Sequence, residues 1–165
     1  MYYAGFYPMH LALLTVASNL MPMAWWTPIS KEPFRLLIAM DRKNYTLGLL
    51  REHREAVLNF LPWAERERVV RAGYLTGRRG RKAERLGFRL TPARQLQETG
   101  VVEGVQTAFE LVVVAELEEP AGDHVPFVCD VVHVHRQRRP ATGEALLFLG
   151  CRDFATLGEG WRFRP

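Results

Sequence analysis

The chain reads as a mainly β protein, an antiparallel barrel with a few short peripheral helices. Three observations predict this. Val105 to Leu117 alternates, with Phe109, Leu111, Val113, Ala115 and Leu117 on one face and Glu110 and Glu116 on the other, the pattern of a half-buried strand. Several other short apolar runs end in turn residues at hairpin-scale spacing, which favours a barrel over a sandwich. Helical periodicity is confined to brief segments. At 165 residues the chain is long enough to bury a sizeable core, and residues 1–165 are expected to form a single domain.

In chain order, Met9 to Ser18 is a Leu/Val-rich strand closed by the turn Ser18-Asn19. Met21 to Ile29 is a second, with Pro22 placing its start near an edge or a bulge. Phe34 to Met40 is a third strand. From Tyr45 the apolar positions switch to Leu47, Leu49 and Leu50, which predicts a short helix ending near His53-Arg54. Val57 to Leu61 is a fourth strand. Trp63 to Ala72 carries helical spacing with Glu-Arg alternation, and Lys82 to Leu86 makes one more helical turn. Val125 to His135 is the hairpin partner of the long strand, across Glu118 to Asp123. Ala145 to Gly150 is the last strand.

The first thirty residues contain no Lys, Arg, Asp or Glu. Pro8, His10, Asn19, Pro22 and Pro28 interrupt them, so no apolar run reaches spanning length. No basic n-region precedes them. Neither a membrane span nor a signal peptide is expected, and the expected compartment is the cytoplasm. Cys129 and Cys151 lie far apart in apolar, strand-like contexts and read as packed free thiols. His133 and His135 share a strand face without an acidic or Cys partner, so no metal site is expected. Arg78 to Lys82 and Arg136 to Arg139 are basic runs, but acidic residues are interspersed elsewhere and no nucleic-acid motif accompanies them. No nucleic-acid partner is expected.

Chemistry concentrates between Asn19 and Asn59. Asp41-Arg42-Lys43-Asn44-Tyr45-Thr46 opens the predicted helix, whose first N–H groups and positive dipole end suit an anion. Arg42 offers two donors, Lys43 a point charge and Thr46 a hydroxyl. On spacing alone the favoured reading is an ordinary cap at Asn44 or Thr46, with the two cations solvent-exposed. Met23-Ala24-Trp25-Trp26-Thr27-Pro28 supplies an apolar wall and backbone groups for a planar ring. Adjacent tryptophans on a strand point to opposite faces, so both cannot line one ring, and core or interface packing stands beside that reading.

The order of these motifs resembles the flavin reductase-like proteins of the FMN-binding split-barrel fold. The match rests on Asn19, Met21, Trp25, Thr27, Pro28, Ser30, Tyr45, Thr46, Leu58 and Asn59. Tyr74-Leu75-Thr76-Gly77 through Lys82 is similar to the family's Ser-Gly-charged-Lys segment, and Gly122-Asp123-His124 to its Gly-Asp-His strand. The chain departs at Pro22 and Ala24, where family members usually carry hydroxyls, and Pro22 has no N–H to substitute.

The resemblance implies an antiparallel split β-barrel and an FMN cofactor. The ring would be skirted by Met23, Ala24, Trp25, Trp26 and Thr27, and the phosphate held by Arg42, Lys43, Asn44, Tyr45 and Thr46. Thr76, Gly77 and Lys82 would approach the flavin, with a helix cap and solvated loop as the alternative for that stretch. His124 would be the catalytic donor toward the flavin edge or a docking nicotinamide, with a surface-turn histidine as its alternative. The implied function is an NAD(P)H-dependent flavin reductase or a flavoredoxin-like electron carrier. A non-catalytic flavin-binding module serving a partner protein is the alternative, and a basic nucleic-acid-associated domain a third. A homodimer is expected, covering the apolar Tyr2, Tyr3, Phe6 and Tyr7, with a nicotinamide dinucleotide as donor and an unknown electron acceptor.

Overall fold

A computed structural model describes residues 4–80, 82–117, 122–135 and 140–159. In chain order the strands are β1 Met9–His10, β2 Ala12–Val16, β3 Asn19–Met23, β4 Trp26–Lys31 and β5 Phe34–Asp41. After helix α1 (Tyr45–His53) come β6 Glu55–Phe60, helix α2 (Arg66–Tyr74) and the short helix α3 (Lys82–Arg85). The remaining strands are β7 Leu90–Thr91, β8 Val101–Val102, β9 Thr107–Glu116, β10 His124–His135, β11 Leu147–Gly150 and β12 Asp153–Ala155.

Seven strands form one antiparallel sheet in the order β3-β2-β6-β9-β10-β5-β4. Its edges, β3 and β4, are consecutive in the chain, so a single segment serves both ends of the sheet. The expected strand from Met21 to Ile29 therefore breaks in two. β3 pairs with β2 and β4 with β5, and the Trp26 N–H donates to the Ala24 carbonyl at the break. The sheet curls without closing its ladder, as a split barrel does. Pro22 and Pro28 lie on these two edge strands, where a missing donor is tolerated.

Other boundaries also shift. Met9 to Ser18 divides into β1, which pairs with β11, and β2, which pairs with β3 and β6. Trp63 to Ala72 begins as a 3-10 turn and continues as α2. α1 ends as expected, with Arg54 in the left-handed conformation (φ 58°). The pairing of β9 with β10 is present; most of their connection, Glu118 to Ala121, lies outside the described residues, as do Arg81 and Arg136 to Arg139.

Two apolar clusters make the core. One fills the barrel with Leu14, Ile38, Leu58, Leu111 and Phe127. The other lies outside it, where α2, α3 and the segment from Phe88 to Val105 pack on Leu13, Leu20 and Val57. This second layer corrects the expected solvent-facing position of Glu110, which is fully buried. Cys129 is buried, and burial pushes its thiol up to about 12. Cys151 is an exposed turn residue (φ 52°) rather than part of a strand. Among the described residues, no helix is long and apolar enough to cross a membrane.

Candidate functional site

The turn after β5 sets up the first half of the site. Asn44 is the N-cap of α1, its side chain accepting from the Thr46 N–H at 2.9 Å, an arrangement that favours Asn at this position. Thr46 is buried and its Oγ1 accepts from Asn19 Nδ2 on β3 at 2.8 Å. The other side-chain atom of that amide, Asn19 Oδ1, is buried without a partner. Facing this pair is the turn after α2, where Thr76 caps a short 3-10 turn, Gly77–Arg79, by accepting from the Arg78 N–H. A Cβ at residue 77 would lie 2.3 Å from Asn19 Oδ1 and 2.9 Å from the Tyr45 ring. Glycine is what permits this close approach.

These elements enclose a cavity of about 480 Å³ lined by Asn19, Met21, Pro22, Lys43 to Thr46, Ala72 to Arg78 and Lys82. Three cations border it. The Arg78 guanidinium lies 5.2 Å from the centre of the Tyr45 ring, within reach of a cation–π contact, and Lys43 is exposed at the rim. Lys82 differs from both. Only 4% of it is exposed, and its ammonium group has no ion-pair or hydrogen-bond partner among the described residues. Burial lowers its pKa to about 8, because a charge withdrawn from water without a counter-charge is disfavoured.

A second cavity of about 500 Å³ lies alongside, lined by Leu11, Ala24, Val70, Phe148 and Phe154 together with Asp41 and Cys151. Pro22, Gly73 and Tyr74 line both cavities. The first cavity carries the cations and the second a larger share of apolar side chains, and the two meet at the three shared residues, a waist.

The structure brings together Lys43, Asn44, Tyr45, Thr46, Thr76, Gly77 and Lys82 in the first cavity and places Ala24 in the second. It places the other expected residues elsewhere. Met23 is in the core. Trp25 stacks on His124 with ring centroids 4.2 Å apart, and Phe6 stacks on Trp25 at 6.3 Å. Trp26 donates from Nε1 to the His10 carbonyl and packs against Phe60 at 5.1 Å, while Thr27 is exposed on the edge strand. The Arg42 Nε donates to the Gly122 carbonyl at 2.7 Å, which turns that guanidinium toward the start of β10. His124 Nδ1 lies 2.7 Å from Asp123 Oδ1 and lines neither cavity. That contact lowers the Asp123 pKa.

The residues 4–158 match the model of the flavin reductase like domain. The chain belongs to the flavin reductase-like family. A crystal structure of an FMN-binding protein from Thermus thermophilus, with 1-cyclohex-2-enone bound, superposes with a TM-score of 0.85 at 26% identity. The match covers 99% of this chain and 94% of that one. The flavoredoxin of Desulfovibrio vulgaris shares the fold, with a TM-score of 0.84 at 20% identity over 95% of this chain and 91% of that one. An uncharacterized protein of Archaeoglobus fulgidus is 32% identical over 116 residues, 70% of this chain. The match spans 64% of that relative's own length, less than two thirds.

Pro22 and Tyr74 lie in segments already compared with the family, while Gly73 and the aromatic pair Phe148 and Phe154 are lining residues that the sequence did not mark. The last two reach the site from β11 and β12, far along the chain, and no local pattern marks them. Gly73 was discoverable in principle, as part of the α2 terminus just before the Thr76-Gly77 turn.

Proposed function

We propose that this chain binds FMN and works as an NAD(P)H-dependent flavin reductase or a flavoredoxin-like electron carrier. The observation that carries the reading is Lys82, a buried cation on the wall of a cavity whose ammonium has no partner among the described residues. An isolated buried charge is costly unless a counter-charge arrives, and a phosphate supplies one. Lys82 would hold that group together with Lys43, Arg78 and the N-terminal end of α1. Leu11, Ala24, Val70, Phe148 and Phe154 offer the apolar wall that a flavin ring needs. The donor set and the shape of the two cavities therefore fit the cofactor.

When bound, the flavin would supply the redox chemistry, and the protein binding, orientation and electrostatics. The protein's part is to hold the phosphate on Lys82, keep water off one face of the ring, and leave the rim cations for an anionic donor. A nicotinamide dinucleotide is the proposed donor; its charge suits Arg78 and the exposed Arg79. A non-catalytic flavin-binding module is the second reading, favoured by Pro22 and Ala24. Both border the second cavity, and neither offers a side-chain donor to the ring.

A homodimer in the cytoplasm is proposed. Val112, Val114 and Val132 are exposed hydrophobics on β9 and β10, and Phe6 is 47% exposed; Tyr2 and Tyr3 lie outside the described residues. The absorbance spectrum of the purified protein, with mass spectrometry of the released cofactor, tests the main reading. FMN is expected, and failure to bind any flavin on reconstitution contradicts it. Steady oxidation of NADH or NADPH then separates reductase from module.

A further inference from the structure

Tyr74 is the last residue of α2 and is 70% exposed, more than any other large hydrophobic side chain among the described residues. It lines both cavities, and among the described residues it has neither a hydrogen-bond partner nor a ring contact. The residue before it narrows the same waist, since a Cβ at Gly73 would sit 3.4 Å from the Pro22 ring. An elongated ligand with an anionic end and a planar apolar end has to pass this waist. Its planar end would meet the apolar wall on one side and water on the other. An unpaired aromatic ring at the boundary is suited to cover that second side, because planar π-systems gain most from offset face contact.

We propose that Tyr74 is a positioning residue that closes over the solvent face of the flavin ring, an inference that rests on the flavin reading above. Its hydroxyl is dispensable in this role and its ring is not. Because the side chain is exposed and makes no hydrogen bond or ring contact among the described residues, removing it should leave the thermal midpoint of the flavin-free chain unchanged.

The test titrates the full chain with FMN and with riboflavin, following flavin fluorescence, in the wild type, Tyr74→Ala and Tyr74→Phe. Tyr74→Ala is expected to weaken both ligands by the same factor, about ten-fold. It should also raise the emission of the bound flavin, since an aromatic ring in face contact quenches it. Tyr74→Phe restores both affinity and quenching. Unchanged affinity and emission in Tyr74→Ala would overturn the proposal while leaving the flavin reading intact. Weakening of FMN alone would place Tyr74 at the phosphate and overturn it too. A wild type that binds neither ligand refutes the flavin reading and this inference together.

Discussion

Two buried charges in this molecule have opposite surroundings. Glu110 on β9 is fully buried, and each of its demands is met within the chain. The Arg94 and Gln95 N–H groups donate to it at 2.7 and 2.8 Å, and His135 Nε2 pairs with it. Lys82 is almost as buried, and its ammonium has no partner among the described residues. Two asparagines repeat the contrast. Asn59 donates to the Leu13 and Val57 carbonyls and to Thr15 Oγ1, and accepts from the Val102 N–H. Asn19 leaves its Oδ1 without a partner among the described residues. A buried polar group that is satisfied holds the fold together, while one left open at a cavity wall anticipates a ligand.

The satisfied side is where the largest loss of stability is expected. Glu110→Ala removes the acceptor for two amides and leaves His135 unpaired, at a cost of about 3 kcal/mol, read as a lower midpoint in chemical denaturation. Burial raises the Glu110 pKa, but the Arg94, Gln95 and His135 contacts outweigh it and leave the net value lowered from 4.5. A depressed carboxylate stabilises above its unfolded pKa and loses that contribution as pH falls through the folded one. Wild-type stability should therefore fall below about pH 4.5 more steeply than that of Glu110→Gln. Asn59→Ala comes next, at about 2 kcal/mol, because the Val102 N–H loses its acceptor inside the core.

On the open side stability again rises with pH, but because a cost is relieved rather than a gain restored. Lys82 titrates near 8 in the folded chain against an ordinary value of 10.5, so the unfolded chain holds that proton more tightly. The stability of the flavin-free protein should rise between pH 8 and pH 10.5, and Lys82→Met should remove the rise. A pH-stability curve identical in the two proteins would contradict the isolation of this charge. The smallest effects separate two neighbours in sequence. Lys43→Ala should weaken FMN about three-fold, as an exposed cation at the rim. Arg42→Ala should leave FMN affinity unchanged, since its Nε is engaged by the Gly122 carbonyl.

Much of the barrel was legible because its strands alternate and its helix at Tyr45 carries a cap and a change of period. Glu110 was not, because alternation within one strand says nothing about the separate segment that covers the outer face. The site was half legible. Asn44 to Thr46, Thr76, Gly77 and Lys82 lie on two turns whose residue types are themselves the signal. Arg42 and Lys43 both read as phosphate cations in sequence, yet the Arg42 guanidinium is directed to the Gly122 carbonyl just before β10. The tryptophans suggested a ring platform because they are adjacent and aromatic, but the strand break at Ala24 directs Trp25 to His124 and Trp26 to His10. Phe148 and Phe154 join the site only through the strand pairing of β11 and β12.

The most direct test of the open cation is calorimetric binding of FMN and riboflavin to wild type and Lys82→Met at pH 7. A charge-assisted contact to phosphate contributes roughly 1.5–3 kcal/mol, so Lys82→Met should weaken FMN between about ten-fold and a hundred-fold. Riboflavin, which lacks the phosphate, should bind both proteins alike. FMN binding that survives Lys82→Met undiminished, or riboflavin that weakens in parallel with FMN, would contradict the assignment of Lys82 to the phosphate.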